Sequence, residues 1–560
     1  MGMNQFIEAK FAKLVAIGLF MVTVLVIAGP VTDPVNVPKQ VALVSLALTS
    51  SMYLFIIRKS IFTDGIPLPI KLVIVFILIS IFVVLKSNAP FSQNLYGVNG
   101  RSTGLITYLA FALIFGVISL FTQKSSVQYL LNALIWAGAL NIIYGFYNQF
   151  FGDPIPWTNI YGAFLGTFGN PNFSGAFLGL ISGGSVAYML NYYKEPKKFA
   201  FSTLLFLTGI PCVVFTKTTQ GILVSAISIF IVLFLFQYHK YKNKMFNVMA
   251  IFVGIFGSFL IISGMLQKGP LSQVLYKRSV SLRGAYWEAA YNTGKANLWS
   301  GVGFDSFGDW YRRTRTIKAA TWMPGPETIT NAAHNYYLDI FASGGLFLTL
   351  SYLSFTALGI YSCIRIVKIS KDFDYIGTFL IASFAAFQAQ SIISIAQIGI
   401  AVWGWVIIAM LYSYSKIISG EINNTKELKI SKDFPVGVFM FIGFSIGLIL
   451  AIPPYSADAK WTNAVNSHEL DRVQNALQPS YFSPQNSDRL ANAALLLQRS
   501  NLPTQAYKIA LHGVRFNPDN FSAWKVLYFL PASSDIDRKN ALINMRRLDP
   551  KNKNLVNLNK

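Results

Sequence analysis

The chain of 560 residues has only two cysteines, Cys212 and Cys363, and both lie in apolar stretches. It therefore has neither a disulfide framework nor a Cys-x-x-Cys metal or redox motif. Charged residues make up only 12% of the sequence, about half the fraction of an ordinary soluble domain, whereas 53% of residues are hydrophobic. This shortage of charge excludes a soluble or disordered protein and predicts a protein that crosses a membrane many times.

Apolar stretches of about 20 residues, long enough to cross a bilayer as helices, occur about thirteen times. We therefore predict an all-α polytopic membrane protein of about 13 transmembrane helices with a long extracytoplasmic loop and a C-terminal soluble α-helical repeat domain. The predicted domains are transmembrane helices 1–9 (1–264), the outer loop (265–334), transmembrane helices 10–13 (335–452) and the tail (453–560). The predicted spans are 12–29, 40–57, 69–85, 104–121, 128–150, 173–191, 200–216, 219–237, 246–264, 335–357, 376–393, 396–415 and 434–452.

A net charge of +23 in a soluble protein would suggest nucleic-acid binding, but here the basic residues are distributed along the chain as membrane topology predicts. The N-terminus and every second short loop hold 19 Lys and Arg residues, whereas the alternate short loops hold four, and cytoplasmic loops carry such an excess. We therefore place the N-terminus in the cytoplasm and the outer loop and tail outside. The outer loop carries nine basic and four acidic residues. This excess of basic residues lies on the outer side, so the charge rule for cytoplasmic loops does not explain it.

The tail contains Pro484, Pro518 and Pro550 at intervals of 34 and 32 residues, with helix-period apolar segments between them. This spacing resembles tetratricopeptide repeats, and a plain helical bundle is the alternative. Either arrangement suits a protein-binding or capping platform rather than chemistry.

His334 stands out among the four histidines because it ends the outer loop just before an apolar helix. A histidine in the first turn of a helix has a lowered pKa, and neutral imidazole can act as a general base. The alternative is an interfacial histidine with no catalytic role. Arg283 and Trp287, four residues apart, share one helical face of the same loop. A guanidinium group at an outer membrane surface suits a phosphorylated lipid head group.

Other conspicuous residues of the outer segments have simpler interpretations. Arg312, Arg313 and Arg315 are predicted to form a solvated or lipid-facing cluster. Four tryptophans can stack on sugar rings, although an interfacial anchor is the expected role of each. They are Trp157, Trp299, Trp310 and Trp322.

Several short motifs together resemble the O-antigen ligase and polymerase-like superfamily of bacterial membrane glycosyltransferases. The resemblance covers about residues 90 to 415, and a tetratricopeptide-like tail also occurs in some members. The matching residues are Ala333-His334-Asn335-Tyr336-Tyr337-Leu338, Gly344-Gly345-Leu346, Arg283, Trp287, Gly301, Gly303, Phe307, Gly100-Arg101, Gly104-Leu105, Gly166 to Phe173, Gln390 to Ser394 and Trp403.

The resemblance implies a multi-pass enzyme of the bacterial cytoplasmic (inner) membrane. It implies inverting transfer of a glycan from a polyprenyl-pyrophosphate carrier to an acceptor hydroxyl at the outer face, without a cofactor or an essential metal. The acceptor would be a lipid, a glycan or a protein, and the helical tail would offer a site for a protein partner. By the same resemblance His334 is the base or the orienting group for the acceptor hydroxyl, and Arg283 contacts the pyrophosphate. Arg278, Trp287 and Asn335 are assigned to the substrate site with them.

The chain departs from the family where many members have a second pyrophosphate-binding arginine in a Ser-Arg-Gly turn. The matching residues here are Thr219-Gln220-Gly221, so Gln220 removes a charge from the expected substrate site. Lys217 and Arg101 are the candidates to replace that contact.

Three other activities remain open at this stage. A polysaccharide repeat-unit polymerase and a protein O-oligosaccharyltransferase share the same motifs. A lipid-linked oligosaccharide flippase is the rival from another class, but transporters usually carry paired repeats and midplane charges, which we do not find. A non-catalytic scaffold would leave His334 and the basic loop unexplained.

Overall fold

The computed structural model describes residues 3–58, 65–265, 269–271, 278–322, 324–421, 435–466 and 483–555, and these are helical without strands. The helices are α1 Met3–Val24, α2 Asn36–Ile56, α3 Leu68–Lys86, α4 Phe91–Tyr96, α5 Leu105–Ser119, α6 Lys124–Phe151, α7 Pro171–Asn191, α8 Pro196–Phe215, α9 Thr219–Lys240, α10 Lys244–Met265, α11 Arg278–Ala296, α12 Phe307–Thr314, α13 Ile317–Thr321, α14 Tyr336–Ile369, α15 Tyr375–Ser391, α16 Ile398–Ser419, α17 Val436–Val465, α18 Ser487–Arg499, α19 Pro503–Phe516, α20 Phe521–Phe529 and α21 Asp535–Leu548.

Each of the thirteen predicted spans coincides with one of these helices. In the described part of the chain, nine helices are long and apolar enough to cross a membrane: α2, α3, α6, α7, α8, α9, α14, α16 and α17. Helix α5 and residues 244–260 of α10 form shorter apolar segments. The protein is therefore an all-helical membrane protein, and the count of about thirteen spans stays a prediction. Helix α17 continues past residue 452, where the tail was predicted to begin, as far as Val465.

Helix α16 forms the centre of the transmembrane bundle. It begins after Gln397, whose side chain accepts a hydrogen bond from the amide of Ile400, and ends at Gly420 in the left-handed conformation. Nearly all of its residues are buried, including Trp403 and Trp405. An apolar helix that is buried on every side belongs in the core of a bundle, and α1, α5, α14 and α15 surround it.

Helix α14 is interrupted at Gly345, whose φ of 63° and ψ of −159° break the helical path. The outer loop fills this break with its own backbone. The amide of Val302 donates to the carbonyl of Ala342 at 3.0 Å. The amide of Gly303 donates to the carbonyl of Ser343 at 2.9 Å. The two glycine motifs of the sequence are therefore partners, and together they fix the outer loop against the start of α14, because carbonyls freed by a helix break need new donors.

Four helices of the tail pack as two consecutive pairs, α18 with α19 and α20 with α21. The starts of α18 and α20 are 34 residues apart, which agrees with the proline spacing. The tetratricopeptide-like assignment itself stays a prediction. The tail has its own apolar core, which also takes in Ala457 and Trp461 at the end of α17.

The tail is joined to the outer loop by buried ion pairs. Arg312 and Arg315 both contact Asp549, at 3.0 Å and 2.7 Å, and the side chains of Arg315 and Asp549 are fully buried. Arg313 pairs with Asp519. The prediction of a solvated or lipid-facing arginine cluster is therefore wrong, because carboxylates more than 200 residues downstream neutralise it. These pairs also account for part of the excess positive charge of the outer loop.

We expect the substitution Asp549→Ala to release the tail from the outer loop, because it leaves two buried guanidinium groups without their carboxylate. Removing one partner of a buried ion pair costs about 3–5 kcal/mol. A lowered unfolding temperature and faster proteolysis of the tail would report the change. Glu195→Ala, which breaks the exposed pair with Lys198, is the matched control and should leave both measurements unchanged. Equal behaviour of the two variants would contradict the assignment.

Candidate active site

A cavity of about 830 Å³ lies where the predicted outer connections meet. Its walls come from residues 28–36, 99–100, 156–173, 282–286 and 393–397, together with Gln220 and His334. Each of these segments follows an odd-numbered predicted span or begins the next one. In the predicted topology, in which successive spans alternate direction, these connections share one side of the membrane. The tail also contacts this end, because Asp458 of α17 accepts a hydrogen bond from the amide of Asp33 at 2.9 Å.

His334 lies on the cavity wall, just before α14. The helix begins at Tyr336 with Asn335 as its N-cap, so His334 is outside the first turn in which the sequence placed it. Its backbone has a positive φ of 54°, which is unusual for a residue with a side chain. The indole of Trp287 donates to the His334 carbonyl at 3.4 Å, and the ring of Tyr286 lies 5.9 Å from the imidazole between centroids. Two residues of α11 therefore support the His334 segment.

The environment of His334 keeps its imidazole neutral at pH 7. Burial lowers its pKa most, and the guanidinium groups of Arg283 and Arg101 lower it further, from the usual 6.5 to about 4. The causes are therefore desolvation and nearby cations rather than the helix dipole predicted from the sequence. A neutral imidazole can accept a proton from a substrate hydroxyl.

Arg283 lines the same cavity from α11. Among the residues that the structure describes, no carboxylate pairs with it, and burial lowers the pKa of its guanidinium. An arginine nevertheless keeps its charge at neutral pH. Of the described lining residues, Arg283 is the only arginine or lysine. A half-buried guanidinium without a protein counter-ion is suited to binding an anionic ligand.

Arg101 is buried and does not line the cavity; it holds the segment that leads to His334. It donates to the carbonyl of Asn331 at 2.9 Å. Its guanidinium lies 3.5 Å from a carboxylate oxygen of Asp305 and 3.9 Å from one of Asp339. The other oxygen of Asp339 accepts from the amide of Ala333 at 2.6 Å. The backbone on the N-terminal side of His334 is therefore fixed by a buried ion network, and substrate contact by Arg101 remains a prediction.

Gln220 and Lys217 occupy different environments. Gln220 is buried, lines the cavity and donates to the side chain of Gln390 at 3.3 Å. Its amide oxygen has no hydrogen-bond partner among the described residues. Lys217 is exposed, does not line the cavity and donates to the Gly162 carbonyl at 2.7 Å. The structure therefore brings Gln220, but not Lys217, to the cavity.

Two of the three remaining predicted substrate residues, Asn335 and Trp287, lie close to His334 in the chain or in space. Asn335 is buried, and its side chain accepts from the amide of Leu338 at 3.0 Å, which caps α14. Trp287 makes the contact with His334 described above. Arg278 is the first residue of α11, and its side chain lies outside the described part of the chain. Substrate contact by these three residues remains a prediction.

Sequence reasoning missed the two carboxylates that surround Arg101. Asp339 lies in the first turn of a predicted span, where an ionisable residue is a signal worth following. Asp305 follows the Gly301-Val302-Gly303 turn and accepts hydrogen bonds from the backbone amides of Val98 and Thr103. Within the described ranges, no group of three or more His, Cys, Asp and Glu side chains is placed to hold a metal ion.

The family model described as O-antigen ligase matches residues 203–353. The matched range contains Gln220, Arg283 and His334, and it ends before the tail. No curated protein matches the chain. The family match and the helical membrane architecture support an enzyme of the O-antigen ligase superfamily with a ligase or transferase activity.

We expect the pKa of His334 to lie near 4 and to rise in the Arg283→Gln variant, because a positive neighbour that disfavours imidazolium is removed. Diethyl pyrocarbonate modifies the neutral ring, so its rate of reaction at His334, followed by mass spectrometry against pH, reports the ionisation. His512 in the tail is the internal control for reagent and pH. The described environment would be contradicted if the reaction rate at His334 were half-maximal near pH 6.5 in both wild type and Arg283→Gln.

Proposed function

We propose that this protein transfers a glycan from a polyprenyl-pyrophosphate carrier to an acceptor hydroxyl at the outer face of the bacterial cytoplasmic membrane. The observation that carries the proposal is one cavity lined by the neutral imidazole of His334 and by the guanidinium of Arg283, which has no carboxylate partner among the described residues. The family match over residues 203–353 supports a reaction of the O-antigen ligase type.

In the proposed reaction His334 acts on the acceptor. The neutral imidazole takes the proton of the acceptor hydroxyl as the hydroxyl oxygen attacks the anomeric carbon of the donor sugar. The new bond between this oxygen and the anomeric carbon forms as the bond from that carbon to the pyrophosphate oxygen breaks. Attack opposite the leaving group inverts the configuration of the anomeric carbon. The Arg101 network and Trp287 keep the His334 segment in place during this step.

Arg283 acts on the leaving group in the same step. The pyrophosphate gains negative charge as the sugar–phosphate bond breaks, and the guanidinium stabilises this charge by charge-assisted hydrogen bonds. Because Gln220 stands where many family members have a second arginine, we assign the main electrostatic role to Arg283. The transfer then proceeds without a metal ion.

An apolar groove of about 660 Å³ adjoins the cavity on the side of α1, α2 and α17. Ile27 lines the groove, and the next residue, Ala28, lines the cavity. Among the described lining residues only Ser45, Thr49 and Tyr455 carry a polar side-chain group, and the others are apolar. We assign this groove to the polyprenyl tail of the donor, because a polar cavity that borders an apolar groove suits a ligand with a polar head and a hydrocarbon chain.

The orientation of the cavity follows from the charge distribution. The ends of the spans opposite the cavity carry the excess of Lys and Arg that is typical of cytoplasmic loops. We therefore place the cavity, the outer loop and the tail outside the cytoplasm. The tail then lies on the side at which a lipid, glycan or protein acceptor arrives, and it offers a surface for a protein partner.

The substitution His334→Ala should reduce transfer by about 10²–10⁴-fold with little change in donor binding, because it removes the base. Arg283→Ala should weaken donor binding and reduce transfer by about 10²–10³-fold, because it removes the charge that stabilises pyrophosphate. We would measure both with purified protein in lipid nanodiscs, a polyprenyl-pyrophosphate-linked oligosaccharide and a chelator. His239→Ala and Arg58→Ala, at the opposite end of the bundle, are the matched controls.

Transfer and donor affinity at wild-type levels in both site variants would overturn the proposal. Movement of intact donor between leaflets of a liposome, without release of the carrier, would instead favour a flippase. Lipid, glycan and protein acceptors offered separately would distinguish a ligase, a polymerase and a protein oligosaccharyltransferase.

A further inference from the structure

The structure separates the four tryptophans that the sequence placed on outer segments. Trp299 and Trp322 are exposed, at 57% and 72% of their surface, and do not line the cavity. The guanidinium of Arg313 covers the ring of Trp310 at 4.4 Å from its centroid. Trp157 is half-buried and lines the cavity that also contains His334. Only Trp157 among these four is placed to meet a ligand there.

The indole of Trp157 is held in a fixed position. Its nitrogen donates to the carboxylate of Asp153 at 2.7 Å. The same carboxylate accepts from the hydroxyl of Tyr144 at 2.6 Å and from the amide of Ile155 at 3.0 Å. Because the indole nitrogen is already paired, the ring offers the cavity its apolar carbon surface. A rigid aromatic surface binds with little loss of conformational entropy.

Amide side chains line the same cavity as this ring. Asn170 and Asn172 line the same wall of the cavity. The side chain of Asn170 accepts from the amide of Asn172 at 2.9 Å, whereas that of Asn172 makes no hydrogen bond to the residues described. Asn36 and Gln397, which also line the cavity, are joined by a hydrogen bond of 3.2 Å. A side-chain amide can both donate to and accept from a hydroxyl group.

The segments that line the cavity differ in chemistry, and Asp33 is the one acidic residue among the described lining residues. The wall formed by residues 156–173 is aromatic and amide-lined, and none of its described lining residues is charged. The wall that contains Arg283 and His334 is basic. The neutral wall does not match a phosphate, but it matches a ligand with apolar C–H faces and many hydroxyl groups. A pyranose ring has this combination of surfaces.

We propose that Trp157, Asn170 and Asn172 form a subsite for an uncharged pyranose ring of a glycan. One face of the sugar stacks on the indole, and its hydroxyl groups pair with the two amides. This inference deepens the proposed function and rests on it for the role of the site, but the binding itself requires no carrier and no transfer. The ring belongs either to the glycan of the donor or to the acceptor, and the chemistry of recognition is the same for both.

The test measures binding of free sugars to the full chain in nanodiscs. The probe is a mixture of neutral hexose and N-acetylhexosamine oligosaccharides of two to six rings, detected by saturation transfer from protein to sugar C–H protons. We expect a saturation-transfer signal with wild type. The affinity for the sugar should be about tenfold lower in Trp157→Ala, because loss of an aromatic contact lowers a binding constant by about a factor of ten. Trp157→Phe should retain part of the affinity, and Trp299→Ala should retain all of it.

Asn172→Leu provides a second variant in case Trp157→Ala fails to fold, because the Asn172 side chain has no partner in the described chain to lose. We expect it to weaken sugar binding with an unchanged unfolding temperature. Carrier release from a polyprenyl-pyrophosphate-linked oligosaccharide by wild type, measured separately in the same nanodiscs, tests the proposed function, so that its failure and the failure of the subsite are distinguishable. The proposal would be overturned if the saturation-transfer signal with wild type were no greater than with empty nanodiscs. Equal sugar affinity in wild type, Trp157→Ala and Asn172→Leu would overturn it as well.

A competition experiment identifies the source of the sugar. Displacement of the free oligosaccharide by a polyprenyl-pyrophosphate-linked oligosaccharide, but not by the carrier alone, assigns the subsite to the donor glycan. Simultaneous binding of both assigns it to the acceptor. Each of these two results supports a sugar subsite at Trp157.

Discussion

The buried ion network of Arg101 with Asp305 and Asp339 is the constraint on which the site depends. It joins the segment before α5, the outer loop and the first turn of α14, which are far apart in sequence. A buried guanidinium is costly unless carboxylates and hydrogen-bond acceptors surround it, so the three segments are stable only together. Asp339 also accepts from the amide of Ala333, and the network thereby fixes the backbone that leads to His334.

The same electrostatic rule distinguishes the structural arginines from the one assigned to substrate. Arg101, Arg312 and Arg315 are buried and paired with carboxylates, and they connect distant segments of the chain. Arg283 is half-buried beside His334 and has no carboxylate partner among the described residues. Its positive charge lowers the pKa of the imidazole and is available to a ligand anion. In the proposed reaction the guanidinium of Arg283 therefore acts on both His334 and the leaving group.

Hydropathy alone predicted segments that coincide with thirteen helices, because apolar stretches of span length are a local property of the sequence. The motifs around Arg283 and His334 likewise predicted residues that the structure brings to one cavity. Local sequence patterns do not predict which distant residues form ion pairs. Asp549 neutralises Arg315 from 234 residues away, and for this reason the prediction of a solvated or lipid-facing arginine cluster is wrong. The two carboxylates of Arg101 and the partnership of the Gly303 and Gly345 motifs are long-range for the same reason, and substrate contact by Arg101 stays a prediction.

The most direct test of the account is an electron cryo-microscopy map of the His334→Ala variant in nanodiscs with an intact polyprenyl-pyrophosphate-linked oligosaccharide. We expect pyrophosphate density within ion-pair distance of Arg283, about 4 Å, with the glycan beside Trp157 and the carrier tail between α1 and α17. Donor density elsewhere in the protein, with no phosphate beside Arg283, would contradict the account.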